Sequence, residues 1–167
     1  MHRPSTIFAG LFVLFIAAAP MAAAQEDPMV GVVSVSSFDD LMQDAQLIGK
    51  ATGQPGIGAM IDAQIAGMTG GKGLQGFDKT RPVVLVLKLG ENQPYPIICV
   101  PVSDLNKLLG SLPLAEKAED VGDGILKVTL AKPAFIKEQN DWAFVTERKE
   151  QLSSLPPNPQ ELVGKMP

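Results

Sequence analysis

Val83 to Leu89 (VVLVLKL) is the stretch that most narrows the choice of fold. It is valine and leucine throughout except for Lys88, so nearly every residue must be shielded on both faces. A short apolar run of this kind reads as an inner strand of a sheet. Gly90 to Pro96 (GENQPYP) is dense in turn residues, and Ile97 to Val102 then returns as a second strand. An antiparallel hairpin is the simplest arrangement. Pro96 and Pro101 interrupt the amide pattern of the returning strand, which predicts an edge or a bulge there.

The rest of the chain supplies further strands and helices around this hairpin. Met29 to Val35 alternates loosely and reads as a strand. Ser36-Ser37 offers an N-cap, with Asp39 and Asp40 in the first turn of a helix bearing Phe38, Leu41, Met42, Ala45 and Ile48 on one stripe. A second helix, from about Gly56 to Met68, carries Ile57, Met60, Ile61, Ile65 and Met68 on a stripe and completes an αα-hairpin. Ser103 is placed to cap a helix with Leu105, Leu108, Leu109 and Leu112. After an acidic loop, Ile125–Leu130, Ala134–Glu138 and Trp142–Thr146 form a meander, in which Trp142 and Phe144 share a face and anchor the core. Thr146 can cap a last helix that Pro156-Pro157 stops. The expected class is α+β: an antiparallel sheet of about five to six strands, helices mainly on one face, and the N-terminal αα-hairpin inserted after the first strand.

The N-terminus points to export. Met1-His2-Arg3 precedes an uncharged core of 13 residues, Ile7 to Ala19, then Pro20 and the small residues Ala22-Ala23-Ala24. This is the layout of a signal peptide, and the core is short of the roughly 20 residues a membrane span needs. Residues 1–24 are therefore read as a leader, 25–155 as one α+β domain, and 156–167 as a tail or the start of a further module, since Asn158-Pro159-Gln160-Glu161 has the shape of a helix start. The expected location is periplasmic or secreted, with no membrane span once the leader is cleaved. Losing Arg3 takes the formal charge from −4 to −5. An acidic surface without basic clusters disfavours nucleic acid and anionic lipid.

Within MTGGKGLQGFDKTRP, residues Gly71 to Gly76 spell G-x-G-x-x-G. A dinucleotide loop needs strand, glycine turn, then helix. Here a predicted helix comes before and a strand comes soon after Pro82, leaving no room for a crossover helix. A Walker loop would need glycine where Ala66 stands and a hydroxyl where Gly73 stands. The stretch reads as a helix stop followed by a connector. Gly71, Lys72, Gly73, Lys79 and Arg81 remain a candidate anion- or partner-binding loop beside the alternative of a solvated one. No cofactor is expected.

Catalytic options are few. The single histidine, His2, lies in the leader, so the domain has no imidazole for a Ser-His-Asp or Cys-His pair and none for zinc. Cys99 sits in an apolar run and reads as a buried hydrophobe. Ser103 and Lys107 are four apart on a helix, but a capping role explains the serine. Glu116, Glu119, Asp120 and Asp123 form an acidic cluster that reads first as a solvated loop, with weak calcium binding as the candidate site; the D-x-D-x-D-G spacing is missing.

Two stretches, IGAMIDAQIAGMTGGKGLQGFDKTRP (Ile57 to Pro82) and YPIICVPVSDL (Tyr95 to Leu105), resemble segments of exported proteins of planctomycete bacteria that have no assigned activity. The resemblance implies export and the same fold, covers most of the domain, and brings no catalytic residue. Such proteins are often longer, with related units repeated. The expectation is a non-enzymatic binding or interaction module with an unknown protein or envelope partner; a histidine-free hydrolase using carboxylates and a structural envelope component are the alternatives.

Overall fold

The computed structural model describes residues 27–54, 56–91, 93–112, 118–129 and 132–163. The expected leader and Glu116 lie outside them. The fold is α+β: among the described residues there are three α-helices and one antiparallel sheet of seven strands. In chain order the elements are β1 (Met29–Val35), α1 (Phe38–Ala51), α2 (Ile57–Met68), β2 (Val83–Leu89), β3 (Pro94–Pro101), α3 (Leu105–Ser111), β4 (Ala118–Asp120), β5 (Ile125–Thr129), β6 (Pro133–Gln139) and β7 (Trp142–Thr146), followed by 3-10 turns at Lys149–Leu152 and Pro159–Leu162. The strand order is β1-β2-β3-β7-β6-β5-β4. No helix among the described residues is long and apolar enough to cross a membrane.

The expected hairpin is β2–β3, with Val84 opposite Cys99 and Val86 opposite Ile97. β2 is inner, flanked by β1 and β3. The prolines of β3 mark local edges and no bulge: Pro96 pairs with β2 alone and Pro101 with β7 alone. β7 pairs with β3 only from Ile98 to Pro101, so Pro96 lies where β3 has lost that neighbour, and Pro101 is the last paired residue, opposite Trp142. A missing amide is tolerated at the end of a pairing even though the strand is central. The seventh strand, β4, falls in the stretch expected to be an acidic loop. Glu119 and Asp120 are exposed there at the sheet edge, so no apolar alternation betrays the strand.

The two faces of the sheet are covered differently. One face gathers Val84, Val86, Ile97, Cys99, Phe144 and Trp142, and its lid is the C-terminal segment, with Leu152 buried and Leu155 and Leu162 packed alongside. Residues 156–163, read from sequence as a tail, pack here too: Pro159 is fully buried. The last helix expected after Thr146 is only the one-turn 3-10 segment Lys149–Leu152, and Thr146 Oγ1 donates to the Arg148 carbonyl instead of capping it. Lys88, the odd residue of the apolar strand, is buried on this face and ties the lid down, Nζ donating to the Ser154 carbonyl at 2.8 Å.

On the opposite face α3 lays Leu105, Leu108 and Leu109 over Val128, Ile136 and Ala143. Its N-cap is Asp104, one residue later than expected: the carboxylate accepts from the Lys107 amide at 2.9 Å, while Ser103 stays exposed. α1 is capped as expected by Ser37, whose Oγ accepts from the Asp40 amide. Replacing one buried aliphatic of the lid tests whether the C-terminal segment is integral to the domain. Leu152→Ala should cost about 2–5 kcal/mol in a urea titration; a loss well under 1 kcal/mol would mean the lid is detachable.

Candidate functional site

The glycine stretch is built as a helix stop and a crossing. α2 ends at Met68, and the Gly71 amide reaches back to the Ala66 carbonyl at 2.7 Å, the wrapping bond of a Schellman-type terminus. Thr69 Oγ1 donates to the Ile65 carbonyl and accepts from the Gly73 amide at 2.9 Å. Gly70, Gly71, Gly73 and Gly76 all have positive φ. The chain then bridges Phe77 to Val102 and enters β2 at Val83. The order is helix, loop, strand, so no helix leaves Gly76 in sequence, and this is not the strand–turn–helix geometry of a pyrophosphate loop.

Only Gly76 is sterically indispensable. A Cβ there would overlap the Asp104 carbonyl oxygen and sit 2.8 Å from the Leu108 amide nitrogen, whereas one at Gly71 or Gly73 meets nothing within 4 Å. Gly76 is where the loop passes hard against the first turn of α3, and its carbonyl accepts from the Ser103 and Asp104 amides.

The three cations read as an anion-binding loop are each held by a different part of the protein. Lys72 Nζ donates to the Gly110 carbonyl at 3.1 Å, near the C-terminus of α3, where a positive charge complements the helix dipole. Lys79 sits 5.3 Å from the centre of the Phe38 ring, at the start of α1. Arg81 is the most committed: Nε to Asp78 Oδ2 at 2.7 Å, Nη2 to the Asp141 carbonyl at 2.8 Å, and its guanidinium 4.9 Å from the Trp142 ring. It staples the connector to the β6–β7 turn. Asp78 also accepts from the Thr80 hydroxyl at 2.7 Å. That hydroxyl first, then the Thr80 amide and Arg81, hold the Asp78 carboxyl below its ordinary value of 3.8 against an opposing effect of burial.

The acidic cluster is likewise spent on its own turn. Asp120 Oδ1 accepts from the Gly122 amide at 2.8 Å, and Asp123 pairs with Lys149 at 3.1 Å. Glu119 is exposed on β4. Among the described residues no group of three or more His, Cys, Asp or Glu side chains gathers as a ligand shell. The Cys99 thiol is fully buried, and desolvation pushes it up to about 12. Lys107 pairs with Asp104 at 3.1 Å rather than with Ser103. Sequence spacing missed a different lysine–serine pair, Lys88 and Ser154, which are 66 residues apart. There Nζ lies 3.3 Å from Ser154 Oγ and makes its shorter bond, 2.8 Å, to the Ser154 carbonyl.

What the described surface does concentrate is exposed apolar area. Eight of its eleven exposed large hydrophobics lie between Val30 and Met68, in β1, α1 and α2. Met60 is 73% and Leu47 67% exposed. The expected stripes are covered only in part: Leu41, Ile48, Met60 and Met68 are open to solvent, Phe38, Met42, Ile57, Ile61 and Ile65 are half-buried, and the buried positions of the two helices are Ala45, Gly49 and Gly58. Gly58 lies against Met42 and Gln46, so the helices pack chiefly on each other. α2 (IGAMIDAQIAGM) has one charge in twelve residues, a composition that asks for partners on more than one side. Along it runs a shallow groove of about 410 Å³ edged by Ile57, Met60, Ile61 and Ile65, with Gln54 and Gln64.

No family model matches the chain, and no curated protein or solved structure shows significant similarity to it.

Two measurements check this account of the loop. Gly76→Ala should lose about 3 kcal/mol or more in stability, from the overlap and the positive φ together, against about 1–2 kcal/mol for Gly71→Ala, where only φ opposes the change. Equal losses would remove the distinction. A lowered carboxyl pKa stabilises the fold above the unfolded value near 4, and that contribution disappears as pH falls through the folded value. Urea midpoints followed from about pH 5 to about pH 2 should fall less steeply for Asp78→Asn than for the parent protein; parallel curves would show that Asp78 does not carry the effect.

Proposed function

We propose that the protein is an exported, non-enzymatic interaction module that presents β1, α1 and α2 to a protein partner. The reading rests on one observation: most of the large exposed apolar side chains are confined to this N-terminal segment, while the rest of the described surface has only Leu89, Ile98 and Val163. Exposed apolar area concentrated in one segment is a usual mark of a contact surface. The paired helices after the first strand serve as the recognition element, with the groove along α2 as its centre, and the sheet serves as their support. Tyr, Trp and Arg anchors are missing from this surface, so aliphatic and methionine side chains do the contacting, a chemistry suited to adaptable packing. Export is supported by the leader pattern in residues 1–24. The cations of the glycine connector and the acids of the β4–β5 turn are accounted for by the fold, which leaves the apolar surface as the better candidate.

Leu47→Glu with Met60→Glu separates contact from folding, because both side chains are exposed and changes there should alter stability by less than about 0.5 kcal/mol. Cross-linking and mass spectrometry on the protein expressed from its own start codon in an exporting host should recover partners with the parent and lose them with the double variant, at unchanged circular dichroism. Identical recovery from both would sink the proposal.

A further inference from the structure

The two edges of the sheet are not equivalent. β4 is three residues long, with Glu119 and Asp120 exposed on it, and both features discourage pairing with another chain. β1 is seven residues, Met29–Val35, and has neither protection. From Pro28 to Ser37 there is no charged residue, and the one proline precedes the strand. Val30, Val33 and Val35 are each about half exposed, at 48%, 52% and 51%. Among the described residues β1 pairs only with β2, which leaves its outer row of backbone amides and carbonyls without a strand. A bulge disturbs the pairing between Met29 and Gly31, but Gly31 to Val35 run in continuous register, opposite Leu87 to Val83.

We infer that this edge is an interface between two copies of the chain, joined by antiparallel β1–β1′ pairing about a twofold axis at Val33. The inference rests on the reading of β1, α1 and α2 as the contact surface and names the partner of its strand. A twofold axis makes the edge self-complementary, Val33 opposite Val33 and Gly31 opposite Val35. Charge favours the same choice. Two copies of a chain whose net charge is −4, or −5 without the leader and its Arg3, repel, so contact is cheapest where neither brings a charge, and Asp27 and Asp39 flank the five paired residues without entering them. Side-chain order adds a third reason. Val33, Leu85 and Ile98 stand opposite one another across β1, β2 and β3, on the face away from Val84 and Val86. Pairing two edges would join two such rows into one apolar ribbon across six strands and cover the half-exposed Val33 at its centre.

The test is the mass in solution of the protein expressed from its own start codon in an exporting host, followed by light scattering over a concentration series. The expected result is a dimer that dissociates on dilution. Val33→Lys puts like charges directly opposite each other and should weaken it about tenfold or more at unchanged circular dichroism. Val33→Cys should give a disulfide-linked dimer on mild oxidation, because paired antiparallel residues lie within disulfide reach, about 4.5–5.5 Å between Cα atoms; the buried Cys99 does not compete. A monomer at every concentration overturns the inference. So does a dimer that is indifferent to Val33→Lys and gives no cross-link, or a monomer whose β1 amides are protected from hydrogen exchange by another segment of the chain. None of these outcomes touches the Leu47→Glu and Met60→Glu experiment, so the pairing can fail while the contact surface stands.

Discussion

The structure depends on the dry seam where β2, β3 and β7 meet. Val84, Val86, Ile97, Cys99 and Phe144 are all completely buried there, with Trp142 almost so. Each is held in place by cross-strand pairing: Val84 faces Cys99, and Cys99 faces Phe144. β3 and β7 are adjacent in space but more than 40 residues apart in sequence, so the seam closes a long loop, and its burial must offset that entropy. The two outer hairpin systems, β1 against β2 and β4-β5-β6 against β7, are both built onto this seam.

The lid on that seam shows how a polar residue serves an apolar core. Lys88 follows the alternation that buries Val84 and Val86, so its side chain enters the same face. It is tolerated because its ammonium reaches the Ser154 carbonyl and hydroxyl at the rim. Removing a charge from water without such partners would be costly. The lysine thereby sets where the C-terminal segment crosses the sheet, which in turn places Leu152, Leu155 and Leu162 over Val86 and its neighbours. Arg81 has the corresponding role at the other end of β2, pinning the connector against the β6–β7 turn, where Asn140 and Asp141 both adopt positive φ.

Local patterns announced most of the strands and helices because those elements bury one face or two. The β2–β3 hairpin, the β5-β6-β7 meander and the leucine stripe of α3 were all legible for that reason. What was not legible depended on pairings between distant residues. β4 has no apolar alternation and exists because Leu126 to Val128 offer it a partner edge. Residues 156–163 of the expected tail reach the core because Lys88, far back in the chain, holds Ser154 just before them. The glycine connector looked like a site because glycine, lysine and arginine are dense in it; the fold assigns those cations to Gly110, Phe38 and Asp78, contacts that no spacing rule encodes. The apolar stripes of α1 and α2 were legible as stripes, yet periodicity says only that a face is apolar and not what covers it.

That last distinction bears on what kind of surface the N-terminal segment is. A chain could shed an unneeded apolar face at little cost in stability, since exposed positions such as Leu47 and Met60 contribute almost nothing to the core that holds the sheet. Keeping them exposed carries the penalty of aggregation. The same chain places acids on its β4 edge and, among the described residues, pairs β1 on one side only, and it caps α1 with Ser37 while presenting α1's leucines outward. Among the described residues this segment is joined to the rest of the domain by β1–β2 pairing, by the Asp39 amide on the Lys79 carbonyl and by Lys79 over the Phe38 ring, so substitutions on its exposed face can be made far from the seam.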